Sequence, residues 1–273
     1  MTLLLDSVSY RYAGAPSPSL VGLDLEVRPG EVIGVSGANE SGKSTLALVA
    51  SGLAPGTIGG ELRGSVRIDG LDTTAARPHE LAQRCGVLFQ NPRTQLSGTA
   101  GTVFEEVAFG PRNLGLPVAG VVERVEGALH LLSIADLAPR DPERLSGGQA
   151  QLVALASVLA MQPTYLVLDE PTSQLDPLGT RLVGGALIAL AARGGTGLLL
   201  VEHKSDLLER VCTRVVVLQE GRIALAGTAR QVLVDPRLQE LAVDPPAAVR
   251  LTRAVESAGL SLDPDALAEV AAS

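Results

Sequence analysis

The stretch Glu31 to Thr45, with the sequence EVIGVSGANESGKST, decides the fold. It contains an apolar run, Val32 to Val35, that predicts a short buried strand. A loop bounded by Gly37 and Gly42 follows, and the apolar run Leu46 to Val49 continues as a helix. Strand, glycine-bounded loop and helix in this order are typical of a phosphate-binding loop. The glycines let successive backbone N–H groups converge on an anion at the positive end of the helix.

Two side chains of this loop suit a nucleotide. Lys43 brings a mobile positive charge to the β- and γ-phosphates, and the Ser44 hydroxyl is placed to bind Mg²⁺. Lys43 and Lys204 are the only lysines among 22 basic residues, which indicates that a compact ammonium group is needed at Lys43. The residues predicted to bind the nucleotide phosphates are Gly37, Ala38, Asn39, Glu40, Ser41, Gly42, Lys43, Ser44 and Thr45.

Composition and charge limit what else the chain can do. Its 273 residues allow one large domain, or one domain with a small appendage. Apolar residues make up 46% and aromatic residues only 2%, so the core must be built from Leu, Val and Ala. The net charge of −8 argues against nucleic acid as a partner. Cys85 and Cys212 lie far apart with no metal or redox spacing, which predicts buried free thiols.

One apolar stretch resembles a membrane span. Val183 to Val201 carries a single charge, Arg193, but Gly194 to Gly197 interrupt it. A helix to about Ala192, a turn and a buried strand at 198–201 account for it better. The first residues, MTLLLDSVSYRY, lack the features of a signal peptide. We therefore expect a chain that is soluble by itself.

The remaining patterns predict an α/β fold with a parallel core sheet beside an antiparallel one. The predicted antiparallel strands lie within residues 2–28 and at Ser65–Gly70, where the strand ends in a turn. Other predicted elements are strands at Gly86–Phe89 and Tyr165–Leu168, helices at Val121–Leu132, Gln149–Met161 and Ala247–Ala258, a helix from about Pro177, and a hairpin at Val215–Ala226.

Polar residues that follow predicted core strands are candidates for catalysis. Asp169 can hold Mg²⁺ through water, and its neighbour Glu170 can orient or deprotonate an attacking water. Gln90 either reaches the metal or the lytic water, or is an ordinary surface residue. His203 follows a probable parallel strand, where ligands bind, so it could donate to the γ-phosphate, although a lone histidine is more often structural. Tyr12 either stacks on adenine or is a partly exposed strand aromatic.

A second anion-binding helix end is predicted at Leu145 to Gln149, with the sequence LSGGQ. Ser146 can cap the helix, and the glycines expose backbone N–H groups at its positive end. The chain would then have two helix ends that can bind phosphate, and one subunit need not use both of them on the same nucleotide. A dimer with ATP at its interface follows from this arrangement.

These residues resemble, in order, the motifs of the ATP-binding cassette (ABC) ATPases: Gly37–Thr45, Gln90, LSGGQ at 145–149, LVLDEP at 166–171, SQLD at 173–176 and Glu202-His203. The resemblance covers residues 1–235 and implies an ABC nucleotide-binding domain of the P-loop NTPase fold, with a helical subdomain at about 91–160. It implies ATP hydrolysis with Mg²⁺ in head-to-tail dimers.

The same resemblance assigns further residues to the nucleotide. The segment Ser146, Gly147, Gly148 and Gln149 would face the partner's nucleotide, with Ser146 and Gly148 contacting the γ-phosphate bound by the partner's Lys43. Asp176 would communicate across the interface, and Tyr12 would stack on adenine. For hydrolysis, the resemblance implies catalytic roles for Lys43, Gln90, Glu170 and His203, with Ser44, Gln90 and Asp169 at the metal.

A narrower resemblance is to the ATPase subunits of energy-coupling factor transporters, which import vitamins or metal ions such as cobalt and nickel. It is carried by FQNPRTQ at 89–95, EEVAFGPRNLGLP at 105–117, VLAMQP at 158–163 and the tail. The implied partners are a second ABC ATPase, identical or different, a transmembrane coupling protein and a substrate-binding membrane subunit. The ATPase would sit peripherally on the cytoplasmic face of the membrane, and residues 236–273 would form a dimerisation segment.

The chain departs from the ABC pattern at two places. Glu40 occupies a loop position that is usually glycine, and its charge should weaken phosphate binding unless the side chain points to solvent. Ala150 to Leu152 stand where the family usually has basic residues, which affects contacts of the LSGGQ helix.

Two other functions are weighed against transport. A cassette ATPase acting on DNA or ribosomes would need coiled-coil insertions, a second cassette or basic patches, and the sequence shows none. A nucleotide-binding scaffold without hydrolysis would lack the base or the lysine, yet Glu170 and Lys43 are present.

Overall fold

The computed structural model describes residues 1–258; the remainder of the predicted dimerisation segment lies outside the described residues. The strands are β1 (Leu3–Arg11), β2 (Leu20–Val27), β3 (Val32–Gly37), β4 (Glu61–Ile68), β5 (Leu71–Asp72), β6 (Cys85–Leu88), β7 (Tyr165–Asp169), β8 (Gly197–Val201), β9 (Arg214–Gln219) and β10 (Arg222–Thr228). The helices are α1 (Lys43–Ala50), α2 (Pro78–Ala82), α3 (Val103–Asn113), α4 (Val118–Leu131), α5 (Gly147–Ala160), α6 (Pro177–Ala192), α7 (Ser205–Val211), α8 (Ala229–Leu233) and α9 (Ala247–Ser257).

The core sheet has the strand order β10-β9-β3-β8-β7-β6 and is parallel from β9 to β6. Val35 of β3 pairs with Val201 of β8, which pairs with Asp169 of β7. The carboxyl ends of these strands therefore lie side by side, and the segments that follow them meet at one edge of the sheet. The predicted α/β fold with a parallel core is confirmed.

The second sheet is antiparallel, in the order β2-β1-β4-β5, as predicted. Its strand β4 begins at Glu61, earlier than the predicted Ser65, and the predicted turn follows it. Asp69 and Gly70 have φ values of 52° and 78°, so the backbone turns there and cannot continue the ladder. The predicted hairpin is also present, and its turn residues Glu220 and Gly221 both have positive φ, as a tight two-residue hairpin requires.

Alternating strand residues divide the core into two layers. In β7, Tyr165 and Val167 pack with α1 and the antiparallel sheet, whereas Leu166 and Leu168 pack with the helices on the other face. The buried side chains are mostly Leu, Val and Ala, as the composition predicts. Each fully buried Val or Leu contributes roughly 1.5–3 kcal/mol, so a core poor in aromatics relies on many such residues.

The helices α3, α4 and α5 stand between β6 and β7 in the chain, and α5 is the central helix of this layer. It packs against α3 and α4, and ten of its residues are buried. The predicted helix at Val121–Leu132 is α4, which begins earlier, at Val118. Pro117 precedes the first turn with a φ of −63°, which suits the start of a helix. The apolar pattern in the sequence becomes clear only at Val121, because Gly120 interrupts it.

The end of the described chain is attached to α7. The Ser205 hydroxyl donates to the Asp244 carbonyl, and the Ala247 N–H donates to Oδ1 of Asp206 at 2.7 Å. This second bond satisfies a free N–H group in the first turn of α9. The helix predicted in the tail is present, and its role in dimerisation stays a prediction.

Two further predictions are confirmed. Cys85 and Cys212 are free and buried, and burial raises the pKa of each thiol to about 12. The apolar stretch Val183 to Val201 divides into the end of α6, a turn and β8. Within residues 1–258, no helix has the length and apolar character that crossing a membrane requires.

Candidate active site

The phosphate-binding loop joins the central strand β3 to α1. Gly37 has a φ of 146°, and a Cβ atom there would lie 2.4 Å from the Leu218 carbonyl oxygen, so only glycine fits. Gly42 precedes α1 with a φ of 104° and gives the helix no side-chain cap, which leaves N–H groups of the first turn free for an anion. The buried hydroxyl of Ser41 has no partner among the described residues.

Lys43 is folded into this loop. Its Nζ donates to the carbonyls of Gly37 at 2.9 Å and Ala38 at 2.7 Å, and only 6% of the residue is exposed. Burial lowers the pKa of Lys43, while the carboxylates of Glu170 and Asp169 oppose this effect. A phosphate group could replace the two carbonyls as the acceptor, because it carries the negative charge that they lack.

Asp169 and Ser44 form a pair that suits a divalent cation. Burial raises the pKa of Asp169, and the hydrogen bond from the Ser44 side chain lowers it less strongly. Oδ1 of Asp169 is buried and has no hydrogen-bond partner among the described residues. A carboxylate oxygen without a partner, beside a hydroxyl group, is the oxygen donor set that Mg²⁺ prefers, and the ion would favour the ionised acid.

Glu170 lies between two other candidates, each at the end of a neighbouring strand. Gln90 donates through Nε2 to Oε2 of Glu170 at 2.7 Å, and Nε2 of His203 lies 2.8 Å from Oε1. The side chain of Glu170 is 15% exposed, and its backbone φ of 50° lies in the left-handed region. The parallel sheet thus brings three predicted catalytic residues together.

A cavity of about 640 Å³ contains this cluster. Its lining includes Asn39, Glu40, Gly42, Lys43, Ser44, Thr45, Gln90, Glu170 and His203, together with the hairpin turn at 220–221. Gly37, Ala38 and Ser41 belong to the same loop but are not among the lining residues. Among the described residues, Tyr12, Ser146 to Gln149 and Asp176 do not line the cavity.

The LSGGQ segment makes contacts of its own within the chain. Ser146 caps α5, where its hydroxyl accepts from the Gln149 N–H at 3.3 Å and Oε1 of Gln149 accepts from the Ser146 N–H at 3.1 Å. A Cβ atom on Gly147 would lie 2.7 Å from Oε1 of Gln174, so glycine allows close packing against the 173–176 segment. Asp176 caps α6 by accepting from the Gly179 N–H at 2.7 Å. Contacts of these residues with a partner's nucleotide remain predictions.

Tyr12 packs beside the loop helix. Its ring makes an edge-to-face contact with Tyr10, with ring centroids 5.0 Å apart, and its hydroxyl lies 3.2 Å from Oγ1 of Thr45. Stacking of this ring on adenine also remains a prediction.

Glu40 is exposed at the mouth of the cavity, and its φ of 63° places it in the left-handed region. Replacing it with glycine should raise the free energy of unfolding by about 0.5–1 kcal/mol, because glycine removes the steric cost but makes the unfolded chain more flexible. Nucleotide affinity should increase about fivefold, since a charge a few ångströms from phosphate costs about 1 kcal/mol even in water.

Glu40→Gln separates these two effects. It removes the charge and keeps a side chain at positive φ, so affinity should rise while stability stays unchanged. Isothermal titration with ATP and denaturant unfolding measure the two quantities. An affinity that stays the same in both variants would show that the carboxylate does not face the phosphates.

A further group near the site was not identified from the sequence as functional. Glu202 is 2% exposed, and its carboxylate is hydrogen-bonded to Thr172 and to the backbone beside His203. Its position next to His203 was the available signal, since a charged residue directly after a fully buried strand needs a partner.

The glycine-bounded loop on the central strand, with carboxylates at the end of a nearby parallel strand, defines a P-loop nucleotide-binding protein. The sequence profile of the ABC transporter family matches residues 20–173. A putative ABC transporter ATP-binding protein of Pyrococcus horikoshii is 41% identical over 257 residues, which cover 94% of this chain and 90% of that protein. This chain belongs to the ABC transporter family, as an ATP-binding, ATP-hydrolysing subunit of a transporter.

The names of other relatives specify particular kinds of ABC transporter. The energy-coupling factor transporter ATP-binding protein EcfA1 of Symbiobacterium thermophilum is 40% identical over 269 residues, covering 95% of this chain and 91% of that protein. The solved structure of cbiO1 from Clostridium perfringens, described as part of the ABC transporter complex cbiONQ, has a TM-score of 0.76 at 28% identity and covers 94% of this chain and 96% of that one. A dimeric structure of the ATP-binding cassette MJ0796 bound to ADP and Pi has a TM-score of 0.73 at 25% identity, covering 84% of this chain and 99% of that one.

Proposed function

We propose that this chain powers an importer of the energy-coupling factor type, which takes up a vitamin or a transition-metal ion. The observation that carries the proposal is the 40% identity to EcfA1, which extends over 95% of the chain and therefore beyond the ATPase motifs. The chain would pair with a second ABC ATPase and sit peripherally on the cytoplasmic face of the membrane. Its membrane partners would be a coupling protein and a separate substrate-binding subunit.

Each copy would supply part of two nucleotide sites. Lys43 and the N–H groups of the loop would hold the phosphates of one ATP, and the LSGGQ helix end would complete the site of the partner subunit. Two features support this division: Ser146 to Gln149 do not line the cavity of their own chain, and MJ0796 forms a nucleotide-bound dimer. ATP binding would close the dimer, and hydrolysis would reopen it.

The cluster around Glu170 would carry out the hydrolytic step. Its carboxylate would accept a proton from water attacking the γ-phosphate, and Gln90 and His203 would orient water and phosphate. Ser44 and Asp169 would hold Mg²⁺, with Gln90 in reach, and the ion would neutralise charge on the phosphate oxygens. The short Glu170 contacts with both neighbours would hold the base in place until ATP provides new partners for them.

A groove of about 530 Å³ would receive a helix of the coupling protein. It lies between the edge strand β6 and the helical layer, and its lining includes Phe89, Gln95, Phe109 and Met161. Phe109 is 51% exposed and adds its ring to the lining of the groove, which gives a helix an apolar surface to pack against. Because Gln95 bonds to the backbone beside Gln90, a helix seated here could sense the catalytic cluster.

Phe109→Asp tests this groove and the transport function together. Purification of the tagged chain from detergent-solubilised membranes should yield two integral membrane proteins, and mass spectrometry of the complex should identify the cargo. Phe109→Asp should lower their recovery at least tenfold, because a charge would be buried against the apolar helix. The ATPase activity of the isolated subunit should stay unchanged.

Val118→Asp is the matched control, since Val118 is 80% exposed on α4 and does not line the groove. Recovery of the membrane proteins with Phe109→Asp at the control level would rule out this docking site. If the unsubstituted chain yields no membrane protein, the importer function itself is wrong.

A further inference from the structure

A buried carboxylate next to the candidate active site has no role in the chemistry proposed above. Glu202 follows β8 directly, and only 2% of the residue is exposed. It is not among the residues that line the nucleotide cavity. A buried carboxylate is costly unless several hydrogen bonds stabilise it, which makes its partners informative.

One oxygen of Glu202 fixes the backbone that carries His203. Oε1 accepts from the His203 N–H at 2.8 Å and from the Lys204 N–H at 3.2 Å. Two successive N–H groups that point at one anion restrict the peptide rotations on both sides of His203. The direction in which the imidazole leaves the chain therefore depends on Glu202.

The other oxygen reaches the segment that carries Glu170. Oε2 accepts from the Thr172 hydroxyl at 2.6 Å, and Thr172 is fully buried two residues after Glu170. Lys204 makes a second link, because its Nζ donates to the Thr172 carbonyl at 3.0 Å and to Oγ1 of Thr180 at 2.9 Å. Thr172 is thus held at both its hydroxyl and its carbonyl by residues adjacent to His203.

We propose that Glu202, Thr172 and Lys204 form a clasp that sets the position of His203 relative to Glu170 during hydrolysis. The 2.8 Å contact between His203 and Glu170 closes a ring of hydrogen bonds with the clasp. The segments after β7 and β8 would therefore move as one unit. The three are positioning residues, since they act through His203 and Glu170. The inference rests on the proposed hydrolytic roles of those two residues.

Thr172→Val removes the hydroxyl and keeps the shape of the side chain. Because the nucleotide contacts remain, kcat for ATP should fall about tenfold or more while KM stays within about twofold, as expected when reacting groups are misplaced by a fraction of an ångström. Thr172→Ser restores the hydroxyl and should recover kcat. A purely structural role would lower the amount of folded protein without separating kcat from KM.

Glu202→Met tests the other end of the same bond. Methionine keeps the length of the side chain but cannot accept the hydrogen bonds that the carboxylate accepts, so kcat should fall at least as far as in Thr172→Val. The double variant should be no slower than the slower single variant, because Glu202→Met already breaks the bond that Thr172→Val removes. Glu209→Gln, which neutralises an exposed carboxylate on α7, is the charge-matched control and should keep normal turnover.

Thermal unfolding of each variant shows whether it is folded. If Thr172→Val does not fold, Glu202→Met and Thr172→Ser decide: normal kcat in folded Glu202→Met, or a low kcat in Thr172→Ser, overturns the clasp. Additive losses in the double variant also overturn it. If Glu170→Gln keeps turnover, the hydrolytic proposal fails; if Glu170→Gln stops turnover and folded clasp variants do not slow it, only this inference fails.

Discussion

Glu170→Gln should reduce ATP turnover by at least about a hundredfold while ATP still binds, because general base catalysis contributes about 10²–10⁴-fold. Glutamine has nearly the same size, and its oxygen can still accept from Nε2 of Gln90. Its amide cannot take a proton from water. Hydrolysis would therefore stop at the ATP-bound stage, in which the closed dimer accumulates.

Phosphate release gives the rate, and light scattering with Mg-ATP gives the oligomeric state. The variant should elute as a monomer without nucleotide and as a dimer with ATP, either alone or with a sister ATPase. Glu123→Gln, at an exposed position on α4, is the control and should turn over normally. Undiminished turnover in Glu170→Gln would exclude this residue as the base.

Lys43→Met should weaken ATP binding by about a hundredfold, since a hydrogen bond to a charged group is worth about 1.5–3 kcal/mol and long-range attraction to the phosphates is lost as well. Methionine keeps most of the apolar stem, so the packing around α1 should survive. Titration with a fluorescent ATP analogue measures the dissociation constant, and circular dichroism checks the fold.

Lys43→Arg tests whether charge alone is sufficient. The Lys43 ammonium donates to two carbonyls of its own loop as a compact point charge, a geometry that a longer, planar guanidinium group does not reproduce. We expect arginine to recover less than a tenth of the lost affinity. Unchanged affinity in Lys43→Met would count against this loop as the phosphate site.

The elements that the sequence predicts best are those with a continuous local signal. The strand before Gly37 and the strand before Asp169 are short, fully apolar runs, and both become parallel strands buried on two faces. The start of β4 was less predictable, because Glu61, Arg63 and Gly64 give its first residues little apolar pattern.

In the candidate site too, some residues could be predicted from the local sequence and others could not. Glu170 and His203 were predictable because they lie just after strands of one parallel sheet, and Lys43 because it stands in the glycine-bounded loop that follows another strand of that sheet. Glu202 was not, since its hydrogen bond to Thr172 joins positions 30 residues apart and leaves no pattern in either segment. Ser146 and Gln149 bond to each other in one chain, so their expected contacts with nucleotide depend on a second copy.

The two buried cysteines have a practical consequence. With thiol pKa values raised to about 12, almost no reactive thiolate exists at neutral pH, and both cysteines are buried. The native chain should therefore give a silent background for maleimide or nitroxide labels. A single cysteine introduced at an exposed position, such as Glu123, would let spectroscopic rulers follow the opening and closing of the assembled ATPase in real time.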